Sequence, residues 1–257
     1  MIGNRILCKD LSGKEWCSAL FGGERSFVNG DTTPSTSINV VYDESSKTYY
    51  AIYTIDYTAV YLASSTDGVN WTSPTTVYGN YGEGVFSSHD GVVKTADKMQ
   101  AWFPAQVNET GTTEGGAHVI MYVDSSDGGK TWGNLTRSIN HGSSGYNGQD
   151  AQSPTVLYDN SKYEMWYYGT GNKSTYYLVH AISVDGKTWS NQKAYTIQGS
   201  DIMHTLYHTV VKISDTDYRM WRYIGTDILY HTSADGISWS ASNTLNLPFG
   251  ISSFALS

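Results

Sequence analysis

The side chains in this sequence that could do chemistry are carboxylates and imidazoles, grouped at a few points of a 257-residue chain. His89 and Asp90 stand side by side, Asp150 and Gln152 lie one residue apart, and Tyr207 adjoins His208. Asp31, Glu83, Glu114 and His204 occupy polar stretches between apolar runs, and Asn108, Glu109 and His118 belong to the same stretch as Glu114. Two carboxylates on one face can divide acid and base work if their surroundings separate their proton affinities. Histidines beside them can orient a proton, hold a water or ligate a cation. Each residue also has a plain structural reading, since a loop glutamate is usually a solvated charge and a packed histidine usually hydrogen-bonded scaffold. Recurrence along the chain separates the two readings.

One motif does recur. Ser125-Ser126-Asp127-Gly128-Gly129-Lys130-Thr131-Trp132 has one-residue-shorter versions at Ser65 to Trp71, Ser183 to Trp189 and Ser233 to Trp239. A degenerate copy runs from Asp10 to Trp16, and successive tryptophans are 55, 61, 57 and 50 residues apart. A fixed period of this length marks a repeat architecture. Locally, an aspartate can accept backbone N–H groups of a tight turn while glycine takes the φ > 0 position. The tryptophan ring is then expected to dock one repeat on the next.

Aligned on those tryptophans, four blocks share a plan. A short apolar strand, such as Thr155-Val156-Leu157-Tyr158, leads through a polar turn to an aromatic one, such as Tyr163-Glu164-Met165-Trp166-Tyr167. A third strand precedes the Asp-Gly turn and an outer strand follows it. Four antiparallel strands in about fifty residues make a β-propeller blade. The expected architecture is therefore all-β, a single five-bladed β-propeller over residues 1–257, with full blades at about 38–78, 90–137, 154–194 and 208–244. The fifth blade is shared between residues 1–22 and 245–257 and is incomplete. Trp102, Trp166 and Trp221 share one register and are read as core.

The totals narrow the partners. Net charge is −8, with only 16% charged and 14% aromatic residues, which argues against nucleic acid and anionic membranes. No window approaches the length of an apolar membrane span, and the first sixteen residues do not read as a signal peptide. An extracellular or virion-associated location is expected over a cytoplasmic one. Carbohydrate fits the composition, because tyrosine and tryptophan faces stack on sugar rings; nothing sets an oligomeric state. Cys8 and Cys17, the only cysteines, are spaced symmetrically about Ser12-Gly13, so they are expected to face each other across a hairpin, as a disulfide or as two thiols.

The blade pattern, with Tyr163-Glu164-Met165-Trp166-Tyr167-Tyr168-Gly169 and Tyr218-Arg219-Met220-Trp221 ahead of Ser-x-Asp-Gly-x-x-Trp turns, resembles the five-bladed propellers of the furanosidase superfamily, glycoside hydrolase families 32, 43 and 130 among them. The longest turn also resembles a sialidase Asp-box, although the five arginines fall at no repeat position. The resemblance implies a sugar bound over the axis, where inner strands begin, and an axial histidine able to support a cation or water. No cofactor is required; an axial cation held by His89, His204 or His208 is the one conditional expectation. Asp90, Asp150 and Glu83 are the implied catalytic carboxylates. His89, Gln152, His204, Tyr207, His208, Asp31 and Glu114 are the implied substrate-binding residues. Asp90 is expected to act as base or nucleophile, with the acid supplied by Asp150, Glu83 or Glu114. Against family 43, Ser37-Ile38-Asn39 stands where Asp-Pro-Ser is expected, and Glu83-Gly84-Val85 is the nearest match to Glu-Gly-Pro. The leading expectation is a glycoside hydrolase-like protein acting on an oligo- or polysaccharide. The alternative is a non-catalytic glycan-binding propeller of a phage or cell surface.

Overall fold

The structure, a computed structural model, describes residues 6–9, 15–18, 35–55, 59–79, 84–85, 91–107, 117–142, 150–172, 175–195, 208–224 and 227–245. Every regular element among them is a strand. β1 (Ile6–Lys9) and β2 (Glu15–Ser18) pair antiparallel as a hairpin. Their register sets Cys8 opposite Trp16 and Cys17 opposite Leu7. This corrects the expected pairing: the offset is one residue, so the cysteines are not the cross-strand partners that a hairpin disulfide needs.

Four antiparallel four-stranded meanders follow, the second and third joined with one further short strand into a single nine-stranded sheet. The first contains β3 (Ser35–Asp43), β4 (Thr48–Ile55), β5 (Ala59–Ser65) and β6 (Thr75–Gly79). After the short β7 (Gly84–Val85), the second contains β8 (Gly91–Lys94), β9 (Met99–Val107), β10 (Ala117–Ser125) and β11 (Gly133–Ile139). The third contains β12 (Asp150–Asp159), β13 (Lys162–Asn172), β14 (Thr175–Ser183) and β15 (Ser190–Tyr195). The fourth contains β16 (His208–Ser214), β17 (Asp217–Ile224), β18 (Asp227–Ser233) and β19 (Asn243–Leu245). The leading strands β3, β8, β12 and β16 are neighbours in that order. Sequential four-stranded meanders, stacked face to face with their first strands side by side, are the blades of a β-propeller.

Burial explains why the blades stack. Along β9 every residue except Gln106 is buried, because both faces of that strand are covered by neighbouring blades. Ile52, Leu62 and Val77 of the first blade pack with Met99, Phe103 and Met121 of the second. Trp102, Ile120 and Tyr122 join Met165, Tyr167 and Val179 of the third. Trp166, Leu178 and Tyr195 join Val210, Met220 and Trp239 of the fourth. Hairpin turns are set by backbone sign: Asn160 and Ser161 both have positive φ, 49° and 62°, the requirement of a two-residue turn whose twist matches the strands it joins.

The recurring turns act as the joints between blades. In each of the four described turns, the serine hydroxyl donates to the aspartate, and the same aspartate oxygen accepts two later backbone N–H groups, as Asp185 does from Lys187 and Thr188 at 2.8 Å each. The expectation that the turn tryptophan docks the repeats is only part of the answer. The second-strand indoles of Trp102 and Trp166 donate to the carbonyls of Gly186 and Gly236, the turn glycines of the following blade, at 2.8 Å in both cases. The first blade has Ile52 at this register, and the Thr75 hydroxyl takes over, donating to the Gly129 carbonyl at 2.9 Å. The turn tryptophans add a second link, with the Trp189 indole donating to Ser138 Oγ of the preceding blade at 2.7 Å. Charged links fasten the same end. Lys94 reaches back to Asp43 at 2.9 Å and Lys212 to Asp159 at 2.5 Å.

One blade joint is polar and buried. Glu164 lies 2.9 Å from His180 Nε2 and 3.0 Å from Lys162, and the Tyr218 hydroxyl of the fourth blade donates to it at 3.4 Å. Burial pushes the carboxyl up, but His180 and Lys162 outweigh it and pull it down to about 2.

Candidate functional site

At the end of the propeller where first strands begin, the second and third blades meet in one polar cluster. β9 and β10 run past the start of β8, and the start of β12 leans onto them, pairing parallel with β10 through His118 and Asp150. The cause is a bulge. The β12–β13 register shifts between Gln152 and Thr155, and Ser153 within it is buried with φ 54°. A non-glycine residue in the left-handed region costs about 1–2 kcal/mol, and such strain is retained where it re-aims side chains. Here it shifts the register of Asp150 and Gln152, which stay paired with Thr170 and Tyr168 of β13, and sets them beside His118.

Asp150 is saturated with donors. Its Oδ1 accepts the His118 backbone N–H at 3.0 Å and faces His118 Nδ1 at 2.6 Å, while Oδ2 accepts the Thr170 hydroxyl at 3.1 Å. Gln152 Nε2 lies 2.9 Å from the same Nδ1. Burial raises the Asp150 carboxyl, but hydrogen bonds and charge from His118, with help from Thr170, carry it below its ordinary value. Asp150 is thus ionised at neutral pH. The pair keeps some access to solvent, with 13% of the His118 and 21% of the Asp150 side chain exposed. An ionised, partly open carboxylate locked against an imidazole can accept a proton or stabilise positive charge, but it makes a poor proton donor. The expectation of Asp150 as an acid does not suit this environment.

Of the residues expected from sequence, the structure thus brings Asp150 and Gln152 together. It also moves the start of the third inner strand to Asp150, four residues earlier than expected. His208 sits elsewhere, at the joint between the third and fourth blades. It is 1% exposed, with Nε2 3.2 Å from the Trp166 carbonyl, and its own carbonyl accepts the Thr155 hydroxyl at 3.2 Å. Burial, with the nearby Arg222 charge, lowers it to about 4 despite the Trp166 bond, so the ring is neutral and acts as packing. Arg222, also buried, donates from Nε to His231 Nε2 at 3.1 Å, and His231 Nδ1 in turn bonds the Ser240 carbonyl at 2.9 Å. Asp31, Glu83, His89, Asp90, Glu114, His204 and Tyr207 lie outside the described residues, as do residues 246–257 of the expected fifth blade.

Of the other two members, His118 is named in the sequence only as a polar residue of the Glu114 stretch, and Thr170 is not singled out. His118 reads as part of a long loop but is the second residue of β10, and Thr170 carries no signal beyond its place near the end of an aromatic strand. Among the described residues no group of three or more His, Cys, Asp or Glu side chains is gathered as a metal ion would need. No helix among them is long and apolar enough to cross a membrane.

No protein-family model and no curated protein sequence matches the chain. Solved structures do. An N-acetylgalactosamine deacetylase from F. plautii, solved with blood group B trisaccharide, matches with a TM-score of 0.65 at 18% identity over 85% of this chain and 71% of that one. A family 117 glycoside hydrolase of the marine bacterium Zobellia galactanivorans matches with a TM-score of 0.62 at 14% identity, over 90% of this chain and 75% of its own. A family 43 β-xylosidase/α-arabinofuranosidase from a compost microbial metagenome, solved with xylotriose, gives 0.61 at 12% identity over 88% and 81%. At these identities the likeness is one of architecture, and the chain has the β-propeller fold found in such glycoside hydrolases.

Proposed function

We propose that this protein is a carbohydrate-active propeller that hydrolyses glycosidic bonds of an oligo- or polysaccharide at the end where its inner strands begin. The observation that carries the reading is the Asp150–His118 pair, a carboxylate kept ionised by three donors yet partly open to solvent. It stands at a cross-blade bridge of a fold shared with enzymes solved in complex with a trisaccharide and with xylotriose. Glycoside cleavage needs one carboxylic acid to protonate the leaving oxygen and one carboxylate as base or nucleophile. Asp150 fits the anionic side of that division. Asp90 shares it, and the proton donor falls to Glu83 or Glu114. Gln152, with His89, His204, Tyr207 and Asp31, orients the sugar. His208 supports the blade joint, and five-fold closure of the ring by both termini completes the scaffold.

The test is a screen of plant and bacterial glycans for newly formed reducing ends, run beside a glycan-binding array. Cleavage of at least one glycan, lost in Asp150→Asn while the fold is retained, is expected. Binding without cleavage would make the propeller a glycan-binding module, and neither binding nor cleavage across both panels would remove carbohydrate as the substrate class.

A further inference from the structure

His118 Nδ1 faces two groups at hydrogen-bonding distance, Asp150 Oδ1 at 2.6 Å and the Gln152 amide nitrogen at 2.9 Å. It cannot serve both as drawn. A nitrogen that carries a proton can donate to the carboxylate but has no lone pair for an amide N–H; a bare nitrogen can accept from the amide but leaves a carboxylate oxygen facing a lone pair. The surroundings of Asp150 decide between them. Its two oxygens already receive a backbone N–H and a threonine hydroxyl, the pattern that favours an anion. An anionic Asp150 at this distance requires the proton on Nδ1. The amide of Gln152 must then accept, and its buried Oε1 has no hydrogen-bond partner among the described residues. Amide oxygen and nitrogen are told apart only by such partners. Turning the amide over gives Nδ1–H a second acceptor and removes the conflict.

We infer that Gln152 presents its oxygen to His118 and, with Asp150, holds the ring in the Nδ1–H tautomer, so that Nε2 is the nitrogen that gains and loses the proton in this site. Gln152 is thereby a positioning residue acting through His118, in addition to any contact with sugar. The inference rests on taking the Asp150–His118 pair as the reactive part of the proposed site, but it concerns the free protein and needs no substrate. Among the described residues, Asp150 on β12 is a charged group facing the ring, Thr170 on β13 is neutral, and Gln106 on β9 is the cross-strand partner of His118.

The test is nitrogen NMR of histidine-labelled protein, with the His118 signals identified by their loss in His118→Gln. A protonated Nδ1 and a bare, pyridine-like Nε2 are expected for the neutral ring. Gln152→Glu, which can only accept, should keep that tautomer and raise the proton affinity of His118. Gln152→Leu should shift the tautomer ratio toward Nε2–H by roughly two- to twelve-fold, the weight of one ordinary hydrogen bond. A protonated Nε2 with bare Nδ1 in the wild type would overturn the inference, and so would a fall in His118 proton affinity in Gln152→Glu. The wild-type spectrum decides even if a variant fails to fold. A glycan screen without cleavage would count against the proposed function and leave this tautomer assignment standing.

Discussion

Alanine at Gly186 probes the joint between the second and third blades. The residue has φ +75°, and a Cβ there would lie 2.8 Å from Gln100 Nε2 and 2.9 Å from Trp102 Cζ2. Neither neighbour can retreat. Both are fully buried, Gln100 is bonded to the Tyr122 and Tyr163 hydroxyls, and the Trp102 indole is tied to the Gly186 carbonyl itself. Left-handed backbone costs alanine about 1–2 kcal/mol, and forcing an extra carbon into a packed joint adds about 1–3 kcal/mol. Gly128 supplies the control, with φ +78° and nothing within 4 Å of a Cβ. Gly128→Ala bears only the backbone penalty, so Gly186→Ala should be less stable than it by about 1–3 kcal/mol. Urea denaturation followed by tryptophan fluorescence reads this directly, and by melting the gap is about 2–4 °C for each kcal/mol in a chain of this size. Equal losses in the two variants would show that the turn glycine does not set the spacing between blades.

His208 is buried neutral, lowered to about 4, so below pH 6.5 the unfolded chain binds the proton first and stability falls as pH drops toward 4. The loss approaches about 3 kcal/mol, and urea midpoints between pH 7 and 4 should decline more steeply in the wild type than in His208→Gln. Glu164, pulled down to about 2, contributes stability that is present above its unfolded value and lost as pH falls through 2. Removing it in Glu164→Gln should flatten the wild-type decline between pH 5 and 2 by an amount on the order of 3 kcal/mol, and superimposable profiles would refute the pairing with His180. Thr170→Val deletes one donor to the Asp150 anion, so its carboxyl should rise. The acid limb of any hydrolytic pH profile should then move to higher pH, and a limb that stays put would separate Thr170 from the site.

The scaffold was legible because its determinants are local and repeated. A Ser-x-Asp-Gly turn closes on itself through bonds spanning two to four residues, so its signature survives in the linear sequence and its period gives the blade. The partner of the turn glycine, some 84 residues before it at Trp102, was visible only as a shared register. Asp150 and Gln152 were found because they do not recur. His118 was left in a loop, since nothing in its neighbours shows that β9 and β10 outrun β8 and carry it to the bridge. The bridge itself uses the shifted start of β12, through a left-handed Ser153 that no glycine or asparagine announces. The cysteines show the opposite failure. Symmetry about Ser12-Gly13 gave a register, and the hairpin took the neighbouring one.

The central claim is that an ionised Asp150, locked to His118, does chemistry on sugar. Steady-state hydrolysis by Asp150→Asn, on a glycan that the wild type cleaves, tests it most directly. Asparagine keeps the shape, with its one oxygen still accepting the His118 N–H and its amide nitrogen donating to the Thr170 hydroxyl oxygen, so the melting curve should change little beside the loss of activity. Removing the charge and the basic oxygen should lower kcat by on the order of 10²–10⁴, the range of a positioned acid or base. A kcat within a few-fold of wild type, in a variant that folds and binds the glycan, would contradict the account and leave the Asp150–His118 pair as a blade joint.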